Sequence, residues 1–286
     1  MSPRVRLVLA AGTVGLLVAV GLRVTAVPRG LAAGQRALDA ADLTGAEAAW
    51  RRVLATDPGS AEALYGLGWT LHLAGETDPA REAFQQCLEA HPESALGYKG
   101  LGSVAMAEGN AALARRRFEQ ALALAPEDVA IRHSLALLDL STGRGDEAVA
   151  AFQALAAAEP TRAAFRQALG EALVRAGRPE EGLDAASEAI ALSAGDPRML
   201  ALAQVTRARA ILAATAGRVD PADCTGSATP VYTWLAEADR GLDAAEATAV
   251  PLPDLVSVRR SVRQRRGAID DTCPGVRGGV AGKEIP

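Results

Sequence analysis

The chain has 286 residues, 49% of them hydrophobic but only 3% aromatic, with a formal net charge of −4. So small an imbalance excludes a protein whose whole surface is built for a polyanion or a polycation. An excess of Ala, Leu, Arg and Glu with few aromatics points to an all-α protein whose helices pack closely through small side chains.

Arg4 and Arg6 precede an uncharged run from Leu7 to Leu22, which Arg23 closes. The run fits the apolar core of a secretory signal, and snorkelling by Arg6 and Arg23 would let about 20 residues span a bilayer. Basic residues ahead of it keep the N-terminus in the cytoplasm and put the bulk of the chain outside. Arg23 and Pro28 suit processing after Ala26 poorly. Residues 1–26 are therefore read as a hydrophobic membrane-anchoring helix, contacting the membrane through residues 7–22. Cleavage after Ala26, giving a secreted or periplasmic protein, is the alternative. No Cys follows the run, so a lipid anchor is not expected.

Residues 61–128 state one pattern twice. Leu64, Leu67, Gly68, Leu71, Ala80, Phe84 and Pro92 are answered 34 positions on by Tyr98, Leu101, Gly102, Ala105, Ala114, Phe118 and Pro126. Backwards, the period lands on Gly34, Ala46, Trp50, Val53 and Pro58; forwards, on Leu135, Ala136, Ala148, Phe152, Leu155 and Pro160, then on Leu169, Gly170, Leu173, Gly182, Ala186 and Ala189. Gly75, Gly109, Gly143 and Gly177 recur where a left-handed residue would end the first helix of each pair. Small residues facing each other across a hairpin allow close approach, and the aromatic fills the wedge beside the crossing. The last unit has Ala186 in place of the aromatic and Ala194 in place of Pro, as a stack does near its end.

These residues resemble the tetratricopeptide repeat family, whose W-x-x-L-G-x-x-Y, A-x-x-x-F and P pattern they follow. The resemblance implies a right-handed α-solenoid of about five helical hairpins, at residues 27–60, 61–94, 95–128, 129–162 and 163–196. It also implies a partner held on the face lined by the first helix of each hairpin. Carried over position by position, that lining is Gln35 and Leu38; Tyr65, Trp69 and His72; Lys99, Ser103 and Met106; His133, Leu137 and Leu140; and Gln167, Glu171 and Val174. Family members that clamp a peptide carboxylate use several basic residues there, whereas only Lys99 is present. An apolar segment suits Tyr65, Trp69 and Met106 better.

Residues 197–273 depart from the pattern and are read as a C-terminal helical cap, with residues 274–286 a disordered tail. A helix over 197–216 is followed by a loop to Pro230, a helix to about Ala247, a turn at Pro251 and Pro253, and a last helix over 254–268. If the last two helices fold back on each other, Cys224 and Cys273 meet at their outer ends and a disulfide closes the hairpin, which needs an oxidising compartment. Cys87 falls at the position of Val53 and Ala121 and reads as a buried apolar residue. Arg259, Arg260, Arg263, Arg265 and Arg266 could contact nucleic acid. They face Glu237, Asp239, Asp243 and Glu246 on the preceding helix, however, and no aromatics interleave for base stacking.

No catalytic constellation emerges. His72, His91 and His133 lie in different repeats, Gly282–Lys283 lacks the spacing of a phosphate loop, and the Gly97, Gly100 and Gly102 cluster sits within a helix. No metal, cofactor or small-molecule substrate is therefore expected. The reading is a non-enzymatic scaffold, anchored on the extracytoplasmic side and binding a protein or peptide segment, in assembly of an envelope complex. The alternative is a cytosolic regulator touching nucleic acid through its Arg-rich helix.

Overall fold

The computed structural model describes residues 27–219, 224–248, 250–252, 254–274 and 276. The expected membrane segment, residues 1–26, lies outside them, as do residues 277–286 of the tail. Thirteen α-helices, one short π-helical turn at Cys224–Ala228 and no strand are found among the described residues. The α-helices are α1 (27–39), α2 (Leu43–Thr56), α3 (Ala61–Leu73), α4 (Thr77–Ala90), α5 (Ala95–Ala107), α6 (Ala111–Leu124), α7 (Val129–Ser141), α8 (Gly145–Ala158), α9 (Ala163–Arg175), α10 (Pro179–Leu192), α11 (Pro197–Ala214), α12 (Thr229–Ala247) and α13 (Leu255–Thr272). None of them is long and apolar enough to cross a membrane. The chain divides into two compact units, Met1–Leu138 and Asp139–Pro286.

In the first unit, short polar side chains start the helices. Asp42, Ser60, Ser94 and Asn110 accept the amides of Gly45, Ala63, Gly97 and Leu113, each satisfying one of the first-turn donors that a helix leaves unpaired. Gly75 and Gly109 end α3 and α5 with φ of +82° and +75°.

One aromatic of each second helix wedges between two first helices. A Cβ added to Gly34 or to Gly66 would come within 2.6 Å of the Trp50 indole; at Gly68 and Gly100 it would meet Phe84 at 2.6 and 2.2 Å, and at Gly102 it would meet Phe118 at 2.7 Å. The Trp50 and Phe84 wedges thus each need a missing side chain both in their own hairpin and in the next, and the second set, Gly66 and Gly100, is also spaced by 34; after Phe118 that position is held by Ser134. Phe84 and Phe118 are fully buried, and Trp50 donates its Nε1–H to Thr70 Oγ1 at 3.1 Å. Gly97 opens room for Leu88, so all three glycines of that cluster are used in packing.

In the second unit, Ala186 stands where the aromatic would be, and the backbones of α9 and α10 close the gap. A Cβ on Gly170 would meet Gly182 O at 3.1 Å and Ala186 N at 3.3 Å. Phe165, fully buried on α9, restores aromatic volume to this core. The expected cap is more regular than its sequence suggests. α11 packs on α9 and α10 as a further first helix, α12 pairs with it, and α13 lies against both. Their core is Ala201, Val205, Ile211, Leu235, Leu242 and Val262. α13 runs to Thr272, four residues past the expected end, and Val276, within the expected disordered tail, is buried in the same core.

Candidate binding surface

In the first unit the surface is built on one face of α3. Tyr65, Trp69 and His72 are spaced by four and three, which places them on successive turns of one side. Tyr65 and Trp69 stack with centroids 6.4 Å apart and planes at 15°, and His72 tilts against Trp69 at 5.5 Å. Tyr65 also touches the buried Phe84 at 5.7 Å, so the ladder is rooted in the core while all three rings remain half-buried.

From the neighbouring α5, Lys99 brings its Nζ 5.0 Å from the Tyr65 centroid and 3.6 Å from Asp128 Oδ2. The other Asp128 oxygen accepts the amides of Ala130 and Ile131 at the start of α7. Burial, and after it the Asp128 carboxylate, push the Tyr65 phenol up to about 12, so it stays neutral and able to donate. Burial pulls the His72 imidazole below its ordinary range, which keeps it uncharged near neutral pH.

The other residues expected on this face divide. Met106 is half-buried against the Phe118 cluster, and His133 and Leu137 on α7 are half-buried as well. Ser103 is buried and donates to Lys99 O at 3.2 Å, back into its own helix. Gln35 is exposed and bonds Asp39 one turn on, at 2.8 Å; Leu38 packs beside Trp50. In the second unit, Gln167 donates to Thr206 Oγ1 at 2.8 Å, and Glu171 accepts from Arg175 at 3.1 Å and Arg209 at 2.9 Å, so both are engaged, Glu171 by α11 and by its own helix. Leu140 is buried, and Val174 borders a cavity of about 850 Å³ shared with α11 and α13. The structure thus gathers Tyr65, Trp69, His72 and Lys99 at one place. Sequence reasoning missed Asp128, whose signal was its position just ahead of an apolar helix, where a carboxylate caps.

Cys87 and His91 stand four apart but bond to different groups. The Cys87 thiol lies 3.7 Å from Ala61 O, the His91 Nε2 is 2.6 Å from Gly59 O, and no group of three His, Cys, Asp or Glu suited to a metal occurs among the described residues.

At the C-terminal end Cys224 and Cys273 form a disulfide with Cα atoms 5.4 Å apart. Three of the five arginines of α13 are held by α12: Arg259 by Asp243 at 3.2 Å and by Glu246, and both Arg263 at 3.6 Å and Arg266 at 2.8 Å by Asp239. Arg266 also lies 5.0 Å over the Tyr232 ring. A phosphate backbone would have to displace these carboxylates, which weakens the case for nucleic acid.

Two sequence models described as tetratricopeptide repeat match the chain, one over residues 31–95 and the other over 105–166 and 140–205, together more than half of its length. No curated protein matches it. Among solved structures, a thermophilic repeat protein of Thermus thermophilus aligns with a TM-score of 0.58 at 23% identity, covering 65% of this chain and 99% of that one. PilF of Pseudomonas aeruginosa aligns at 0.56 and 16% identity, covering 86% and 99%. A chain of the APC/C hetero-tetramer aligns at 0.66 and 19% identity, covering 86% of this chain and 45% of that one. At such identities the likeness is one of fold.

Proposed function

Because this chain belongs to the tetratricopeptide repeat family, whose members are in general protein-interaction scaffolds and not enzymes, we propose that it holds a protein or peptide segment against the α3 and α5 face of its first unit. The observation that carries this reading is the half-exposed Tyr65, Trp69 and His72 ladder, fixed from below by Phe84 and from the side by Lys99. Rigid aromatics at a surface lose little freedom on binding and supply much contact area, and such residues dominate interface energies. Lys99, the sole lysine on this lining, is already shared between the Tyr65 ring and Asp128. The bound segment is therefore apolar, without a carboxylate clamp.

The compartment is part of the same proposal. The apolar run at residues 7–22 and the Cys224–Cys273 bond both suit a chain anchored in a membrane with its repeats on the oxidising, extracytoplasmic side. There it would act in assembling an envelope complex. Trp69→Ala tests the binding reading: partner capture falls at least about tenfold while the melting temperature stays within a few degrees. A large stability loss with capture undiminished would return Trp69 to the core.

A further inference from the structure

The cavity of about 850 Å³ in the second unit uses none of the residues of the α3 and α5 face, and of the lining expected from the repeats it uses only Val174. Val174, Leu212 and Val258, from α9, α11 and α13, give it an apolar lining, to which α13 adds Ser257, Ser261 and Ala268. Ser257, Ser261, Gln264 and Ala268 recur at intervals of four, three and four, so short or flexible side chains line one face of α13 for about three turns, roughly 16 Å. The lining holds two guanidiniums and no carboxylate. Arg209 is balanced by Glu171 and Asp254, at 2.9 and 2.6 Å. Arg265 makes no ion pair among the described residues, unlike Arg259, Arg263 and Arg266 of the same helix.

We propose that this cavity is a docking groove for an acidic amphipathic helix of a protein partner, with an apolar stripe on Leu212 and Val258 and a carboxylate on Arg265. The volume lies within the ordinary range of binding sites. Charge complementarity selects an acidic occupant, and the backbone of the groove selects a helical one. Its walls are helices whose main-chain groups are already bonded, so an extended segment would lose water from its amides without replacement, whereas a helix satisfies its own. The narrow α13 face lets the incoming helix axis approach closely.

The probe is a fluorescein-labelled 16-residue peptide with Leu at positions i, i+3, i+4 and i+7 flanked by Glu, compared with a twin carrying Lys for each Glu. Anisotropy with the full chain should show the acidic peptide binding at least about tenfold more tightly. Arg265→Glu should reverse the preference, and Ser261→Trp, an exposed position that leaves circular dichroism unchanged, should abolish binding. Trp69→Ala should leave it intact, which separates this site from the α3 face. Equal binding of the two peptides, indifference to Ser261→Trp, or loss with Trp69→Ala would overturn the assignment. A concentration-dependent dimer that Ser261→Trp dissolves would overturn it too, in favour of a second copy of the chain.

Discussion

Lys99 carries its ammonium 5.0 Å from the centre of the Tyr65 ring, across from one first helix to the next, and completes the link through Asp128 at 3.6 Å. The phenol beneath it is partly buried and close to that carboxylate, so phenolate formation is held back to about 12 against an ordinary 10.0. A group whose folded pKa is raised contributes stability that is full below its unfolded pKa and is lost as pH rises through the folded value. Stability should therefore decline between pH 10 and about 12, and absorbance titration should show one tyrosine ionising late. Tyr65→Phe should remove that late step; a titration unchanged by the substitution would contradict the placement.

The turn between α1 and α2 carries a conformational strain that the others avoid. Ala41 has φ of 57°, at the position that Gly75, Gly109, Gly143 and Gly177 occupy in later repeats. A left-handed conformation costs an L-residue about 1–2 kcal/mol, partly offset because glycine has more freedom to lose. Ala41→Gly should stabilise the chain by about 0.5–1 kcal/mol, read as a rise in denaturation midpoint at constant slope.

Phe118 fills its wedge with no exposed surface, and the ring stands where a Cβ on Gly102 would come within 2.7 Å. Phe118→Ala should cost about 3–5 kcal/mol. Gly102→Ala, which helix propensity alone would favour by about 1 kcal/mol, should instead destabilise by about 1–3 kcal/mol as the ring is displaced. Chemical denaturation of both variants checks the pair, and a stabilising Gly102→Ala would contradict the wedge.

The helical pairs could be read from the 34-residue period because each large residue of the pattern has a small one across from it, and Phe84 and Phe118 need Gly68 and Gly102. The role of Gly66 and Gly100 was less visible, since they answer an aromatic of the preceding hairpin and the link spans two repeats. α11 escaped the pattern for a related reason. It pairs with α12 across a long connection, and its buried face, Ala201, Val205, Ala208 and Ile211, lacks the aromatic signature. Of the surface, the Tyr65, Trp69 and His72 spacing was legible. The engagement of Gln167 and Glu171 was not, because it depends on Thr206 and Arg209 of a helix that lacks the repeat signature.

The disulfide between Cys224 and Cys273 closes a loop with a sequence separation of 49. Closing a loop of that size typically contributes about 2–4 kcal/mol by restricting the unfolded chain. Reduction, or Cys224→Ser with Cys273→Ser, should lower the melting temperature and strip hydrogen-exchange protection from α12 and α13 first, while α3 to α6 keep theirs. Equal loss in both regions would mean that the bond does more than secure the last helices.

The central claim, that the α3 and α5 face of the first unit receives a partner, is tested most directly by photo-crosslinking in the native host. A photoreactive residue at position 69 or 106 should yield a covalent adduct with one protein partner. The same residue at Leu124, exposed near the end of a second helix, should yield none. Adducts at position 124 alone, or equally at all three, would contradict the account.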